Sequence, residues 1–151
     1  MRPPSLLDAL LGDAGPCGAA AADDTLPQRL ARDLERLLNT RCAWTPEQLA
    51  PWPRSARSVL AFGLAEGAGP GADGAEALRR VAERIRQSLA AHEPRLAEVR
   101  VAPRPGAGRM PGFRIEAALR RGAHTAGLCF EAELGAGTRH YRVRPATGPA
   151  A

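Results

Sequence analysis

Few residues of this 151-residue chain have the types and spacing that catalysis or ligand binding requires. The three histidines, His92, His124 and His140, are widely separated, and the three cysteines form no Cys-x-x-Cys pair. This pattern predicts no metal site, no cofactor and no catalytic residue, since a lone cysteine such as Cys129 is usually a small packing residue. A phosphate-binding loop motif is also missing, so no small-molecule substrate is indicated.

The segment that breaks a local rule is Glu93-Pro94-Arg95. Glu93 is predicted at a helix C-terminus, where the helix dipole disfavours an anion by about 0.3–1 kcal/mol. A rigid proline separates this acid from Arg95, whose guanidinium can form a two-pronged contact with a carboxylate. Two interpretations carry equal weight: an exposed charged corner that binds a partner protein, or a plain turn with Glu93 solvated or paired internally. If the corner binds a partner, removing its charges should weaken assembly. The melting temperature should stay unchanged, because exposed charges contribute only about 0–1 kcal/mol to the free energy of unfolding.

The other acidic residues argue against an enzyme. Glycoside hydrolysis needs two carboxylates flanking a cleft. Glu98, Glu116 and Glu131 alternate with apolar residues, as on the solvated face of a sheet, and no second carboxylate accompanies Glu93. We therefore expect no cell-wall hydrolase activity, and a muralytic enzyme is kept only as an alternative.

The basic composition is weak evidence for a nucleic-acid partner. The net charge is +5 and the pI is about 10.3, but every basic residue is arginine, as expected from a GC-rich gene. The alternative of a nucleic-acid-binding module depends on Tyr141, which lies between His140 and Arg142 and could stack on a base. The apolar stretch before Asp13 is too short for a signal peptide and no segment could span a bilayer. We therefore expect a cytoplasmic protein that does not insert into a membrane.

Helices are predicted in the first two thirds of the chain. Capping boxes begin helices at Ser5 and Thr25, and the second helix continues to about Asn39. One or two helical turns are indicated over 55–62, and a long helix runs from Ala75 until Pro94 ends it.

After Pro94 apolar residues recur at every second position instead of at helical spacing. This alternation predicts four strands over 96–102, 113–120, 128–134 and 138–144. The predicted fold class is α+β, with N-terminal helices packed on a four-stranded antiparallel β-meander. Residues 1–22 are interpreted as an arm and linker, 23–147 as the domain and 148–151 as a tail.

An ordered set of segments resembles TssE, the small baseplate subunit of bacterial type VI secretion, a family similar to the lysozyme-like baseplate wedge proteins of contractile phages. The matching segments are Pro4-Ser5-Leu6-Leu7-Asp8, residues 32–41 (RDLERLLNTR), residues 56–64 (ARSVLAFGL), Glu93-Pro94-Arg95-Leu96 and Phe113-Arg114-Ile115-Glu116.

This resemblance implies a structural role rather than an enzymatic one. Such subunits join other wedge proteins in a baseplate, and they offer the first sheath ring a docking site from which the sheath polymerises around the inner tube. The resemblance implies other baseplate wedge subunits and sheath subunits as the partners, and Glu93, Pro94 and Arg95 as a contact with the wedge.

The last strand is the second candidate for partner binding. In a meander taken in sequence order, the edges are the 96–102 and 138–144 strands, and the latter carries Arg139, Arg142 and Arg144. An open edge with this charge could pair with an acidic partner segment, although the arginines could instead only guard the edge against aggregation. Proline at Arg142 should block such pairing if the Arg142 N–H faces outward.

Overall fold

The computed structural model describes residues 25–65, 74–105, 110–121, 124–135 and 137–146. The predicted helix at Ser5 and the interpretations of residues 1–22 and 148–151 as an arm and a tail fall outside the described residues. The helices are α1 (Leu26–Asn39), α2 (Pro46–Leu49) and α3 (Ala75–His92). The strands are β1 (Arg41–Cys42), β2 (Leu64–Ala65), β3 (Leu96–Pro105), β4 (Pro111–Arg121), β5 (His124–Leu134) and β6 (Tyr141–Pro145).

Helix α1 begins and ends where its sequence predicts. Gln28 Oε1 accepts the Thr25 N–H at 2.6 Å, which closes the predicted capping box. The predicted leucine stripe is buried, with Leu30, Leu34 and Leu38 fully inaccessible to solvent. The apolar face of α1 therefore forms one wall of the core.

The sheet is the predicted antiparallel meander in the order β3-β4-β5-β6. Its inner face packs against α1 and α3 through large apolar side chains, including Phe113, Ile115 and Phe130. Helices on one face and a polar outer face confirm the α+β architecture.

Strand β3 departs from the simple alternation. A β-bulge lies between Ala97 and Arg100, and Glu98 within it has a positive φ of 52°. The extra residue changes the phase, so Leu96 rather than Ala97 is buried at the start of the strand. The connection between the strands predicted over 96–102 and 113–120 is also shorter than expected, because β3 continues to Pro105 and β4 begins at Pro111.

The segment between α1 and α3 contains elements that the sequence did not predict. Strands β1 and β2 form a short parallel pair, with Arg41 beside Leu64. Two 3-10 turns, Ser55–Arg57 and Val59–Ala61, replace the predicted helical turns, and Gly63 follows them with a φ of 114°. A β-carbon on Gly63 would lie 2.4 Å from the Thr40 carbonyl oxygen, so this close approach requires glycine.

Across the described ranges, no helix is both long and apolar enough to cross a membrane.

Candidate partner-binding site

The Glu93-Pro94-Arg95 corner joins the end of α3 to the start of β3. The Glu93 N–H donates to the Leu89 carbonyl at 2.9 Å and closes the last turn of α3. The Arg95 carbonyl accepts the Arg120 N–H at 2.8 Å, so the sheet ladder begins one residue before β3. Both sides of the corner are thereby fixed by backbone hydrogen bonds.

The side chains at this corner form a compact ion-pair cluster. Arg95 Nε donates to Glu93 Oε1 at 2.6 Å, and Arg95 Nη2 donates to Glu93 Oε2 at 2.5 Å. The same Nη2 donates to Asp33 Oδ2 on α1 at 2.6 Å. Arg95 therefore joins α1, the end of α3 and the start of β3 through two carboxylates.

Burial distinguishes the members of this cluster. The side chains of Glu93 and Asp33 are 8% and 9% exposed, whereas that of Arg95 is 38% exposed. Hydrogen bonding to Glu93, with a smaller contribution from Asp33, raises the pKa of Arg95 and keeps it charged. Pro94 is exposed.

The expectation that Glu93 is an exposed charge is wrong, since its carboxylate is buried and paired inside the fold. This pairing also explains how an anion is tolerated at the end of α3, because the Arg95 guanidinium offsets the unfavourable helix dipole. The prediction that removing these charges leaves the melting temperature unchanged assumed an exposed Glu93, so it no longer has a basis. Partner binding by Pro94 and Arg95 stays a prediction.

The predicted edges of the sheet are confirmed as β3 and β6, but α1 covers part of the β6 edge. Asn39 accepts the Tyr141 N–H at 2.7 Å and donates to the Tyr141 carbonyl at 2.8 Å. Glu35 Oε2 accepts the Val143 N–H at 2.8 Å. These side chains take the positions that a neighbouring strand would occupy, so the edge is already paired over Tyr141–Val143.

The direction of the Arg142 N–H follows from this pairing. Successive N–H groups of a strand point to opposite sides, and those of Tyr141 and Val143 point away from β5. The Arg142 N–H therefore points toward β5, where Arg142 is in register with Glu133. The proline test required an Arg142 N–H that faces outward, so proline at Arg142 would not test the pairing of a partner strand with this edge.

The three arginines of the second candidate site are all exposed near one end of the sheet. Arg142 and Arg144 lie on the outer face of β6, beside Glu133 and Glu131 of β5. Arg139 lies in the preceding turn with a φ of 53°. We call Arg139, Arg142 and Arg144 the arginine surface.

Paired charges cover the rest of the outer face. Arg104 of β3 forms ion pairs with Glu131 and Glu133, and Arg114 Nε donates to Glu116 at 2.8 Å. Glu116 and Glu131 are therefore partners of arginines, as a solvated sheet face permits, whereas Glu98 is exposed in the bulge of β3.

The residues that would support other functions are buried. Tyr141, the stacking candidate for a nucleic acid, is 3% exposed and packs against Phe113 with ring centroids 6.2 Å apart. Its buried ring is unavailable to a base, which removes the basis of that alternative. Cys129 is buried as predicted, and burial raises its pKa and disfavours the reactive thiolate. Among the described residues no cluster of histidine, cysteine and acidic side chains could hold a metal ion.

Three residues of α1 that shape these sites were missed from the sequence: Asp33, Glu35 and Asn39. Charged residues of an amphipathic helix usually face solvent, which conceals the contacts of Asp33 and Glu35 with the start and end of the sheet. Their spacing contains a usable signal, because both residues flank the leucine stripe, whereas Asn39 lies on the opposite side of the helix and gives no such signal.

In a comparison with known families, the model of the baseplate wedge protein gp25 family matches residues 24–124. The matched segment includes α1, the Glu93-Pro94-Arg95 corner and strands β3 and β4. No curated protein and no solved structure gives a significant match.

Proposed function

Because the chain belongs to the baseplate wedge protein gp25 family, which is the TssE family, we propose that it docks in the baseplate wedge of a type VI secretion system and templates sheath assembly around the inner tube. The members of this family are structural components of baseplates. The observation that carries the proposal is this match, which covers the helices and the first half of the sheet.

The proposed partners are other wedge subunits and the sheath subunits, met at different ends of the molecule. The wedge contact is assigned to Pro94 and the exposed part of Arg95. Glu93 and Asp33 act there as positioning residues, because they hold the guanidinium in one orientation. The sheath contact is assigned to the arginine surface, whose exposed charges suit an acidic segment.

A non-enzymatic role is part of the proposal. A glycosidase acid must reach the glycosidic oxygen of its substrate. The Glu93 carboxylate is instead buried and accepts two hydrogen bonds from the Arg95 side chain. Glycan release from purified cell wall by this protein, lost on Glu93→Gln, would contradict the proposal. A cytoplasmic location is also part of the proposal.

The test of the sheath contact compares two double substitutions in cells that lack the native subunit and carry a fluorescent sheath protein. Arg142→Gln/Arg144→Gln removes two exposed charges from β6 without placing new acids beside Glu131 and Glu133. Arg79→Gln/Arg80→Gln removes two exposed charges from α3 and serves as the control.

We expect the β6 variant to assemble at least about tenfold fewer sheaths, because loss of one interfacial charge contact weakens binding by about 2 kcal/mol or more. The α3 variant should assemble as many sheaths as the parent. Equal assembly by both variants, at equal protein levels, would exclude the arginine surface as the sheath contact.

A further inference from the structure

An apolar groove lies between α3 and the β1–β2 pair. Its lining includes Cys42, Trp44, Leu49, Ala61, Leu64 and Ala91, and its volume is about 280 Å³. The floor is fixed, because Gly63 lies directly against Thr40 and its carbonyl accepts the Ser88 hydroxyl at 2.8 Å. The groove is therefore preformed.

Exposed large apolar side chains lie within residues 44–60, the segment that supplies part of the groove lining and that we call the rim. Trp44 is 48% exposed, Trp52 60%, Val59 85% and Leu60 56%. The rim is joined to the lining by hydrogen bonds: the Leu60 carbonyl accepts the Cys42 thiol at 3.1 Å, and the Trp52 carbonyl accepts the N–H of Ala56, a lining residue. An apolar groove beside exposed apolar side chains is typical of a binding site for an apolar segment.

A segment of this chain has the matching pattern. Leu6, Leu7, Leu10 and Leu11 follow the capping residue Ser5 at the spacing of one helix face, and they precede α1 by a linker of small residues. A cavity of about 150 Å³ holds a benzene molecule. The groove is larger, at about 280 Å³, and can accept two leucine side chains.

The linker is long enough to bring this segment to the groove. The described chain begins at Thr25, at the start of α1, and Cys42 of the groove follows the end of α1. Helix α1 is about 21 Å long at 1.5 Å per residue. Residues 12–24 can span about 43 Å at 3.3 Å per residue. The linker can thus return along α1 with ample length remaining.

We propose that residues 5–11 fold as an amphipathic helix and dock their leucines into this groove of the same molecule, covering Trp44. The arm occupies the site in preference to a second copy, because a tethered segment binds at an effective concentration in the millimolar range. Docking covers Trp44, and the groove and arm form an internal contact outside the arginine surface.

The two tryptophans of the chain make the proposal measurable, since both lie at the rim. Trp52→Phe leaves Trp44 as the only tryptophan, and its accessibility is measured by acrylamide quenching of the full-length protein. Leu6→Ser/Leu10→Ser removes two leucines from the arm. Ala9→Ser/Ala14→Ser adds the same number of serines away from the leucine face and is the matched control.

Leu6→Ser/Leu10→Ser should lower the docking equilibrium constant about 100-fold. The quenching constant of Trp44 should rise about twofold as its exposed half becomes accessible. The control should leave quenching unchanged, and circular dichroism should show that all variants keep their helices and sheet. A peptide of residues 1–14, added to the leucine variant at about 1 mM, should restore the protection.

Three results would overturn the proposal. Equal quenching in the parent and the leucine variant would show that the arm does not cover Trp44. Protection that persists in the leucine variant and rises with protein concentration would assign the groove to a second copy. Failure of the peptide to restore protection would show that the leucine substitutions act elsewhere.

Discussion

Glu93→Ala should destabilise the isolated subunit, because it removes the buried carboxylate that accepts two hydrogen bonds from the Arg95 side chain. Breaking a buried ion pair costs about 3–5 kcal/mol. The stranded guanidinium is 38% exposed and keeps its 2.6 Å hydrogen bond to Asp33, so water and the second carboxylate offset part of this cost. We expect a loss of about 2–3 kcal/mol in the free energy of unfolding.

The assay is urea denaturation of the purified protein followed by circular dichroism, with thermal melting as a second measurement. For a domain of this size, the expected loss lowers the melting temperature by about 4–12 °C. Asp33→Ala removes one of the hydrogen bonds to Arg95 and should cost less, about 1–2 kcal/mol.

Glu83→Ala is the matched control. Glu83 also accepts two hydrogen bonds from an arginine, Arg86, at 2.8 and 2.6 Å, but the two side chains are 50% and 42% exposed. An exposed pair of this kind contributes about 0.5 kcal/mol or less. If Glu93→Ala and Glu83→Ala reduce stability equally, burial does not determine the strength of the Glu93 pair and the reasoning fails.

Three further predictions concern other contacts of the fold. Asn39→Ala should lose about 1–2 kcal/mol, because it breaks both hydrogen bonds to the outer edge of β6, and urea denaturation measures this loss. Gly63→Ala should lower the free energy of unfolding by more than about 3 kcal/mol, since its β-carbon would lie 2.4 Å from the Thr40 carbonyl oxygen. The control Gly137→Ala has no atom near its β-carbon and should leave stability unchanged in the same assay. Burial lowers the pKa of His92, so the unfolded chain binds a proton more readily than the folded protein does. The free energy of unfolding should therefore decrease as the pH is lowered below the unfolded-state pKa of about 6.5. His92→Gln should reduce this decrease in urea denaturation curves recorded between about pH 7 and 5.5.

The parts of the fold that periodicity controls could be predicted from the sequence. The leucine stripe of α1 and the alternation in β4 to β6 each reflect one buried face, so the pattern determines which side chains face the core. Strand β3 could not be read in the same way, because one extra residue near Glu98 changes the phase and nothing in the alternation marks it. Its last residues, Pro103 and Pro105, indicated a loop, yet proline is tolerated in an edge strand.

The candidate site was predicted only in part, for a different reason. The sequence drew attention to Glu93 and Arg95 because an acid at a helix end needs compensation. Arg95 of the same molecule supplies that compensation, and its second partner, Asp33, lies 62 residues away from it in sequence. Local patterns carry no information about such a contact, so the two interpretations stayed equal until the fold was known.

The two edges of the sheet are protected by different means, and this affects how the proposed partners can bind. Side chains of α1 occupy the backbone groups of Tyr141 and Val143 on β6, while β3 carries the bulge and two prolines that lack N–H donors. Neither edge presents a long run of free donors to a partner strand. We therefore expect the proposed recognition of the sheath to depend more on exposed side chains, above all the arginine surface, than on backbone pairing alone. Charge contacts of that kind respond to ionic strength, so sheath binding at the arginine surface should weaken as salt rises.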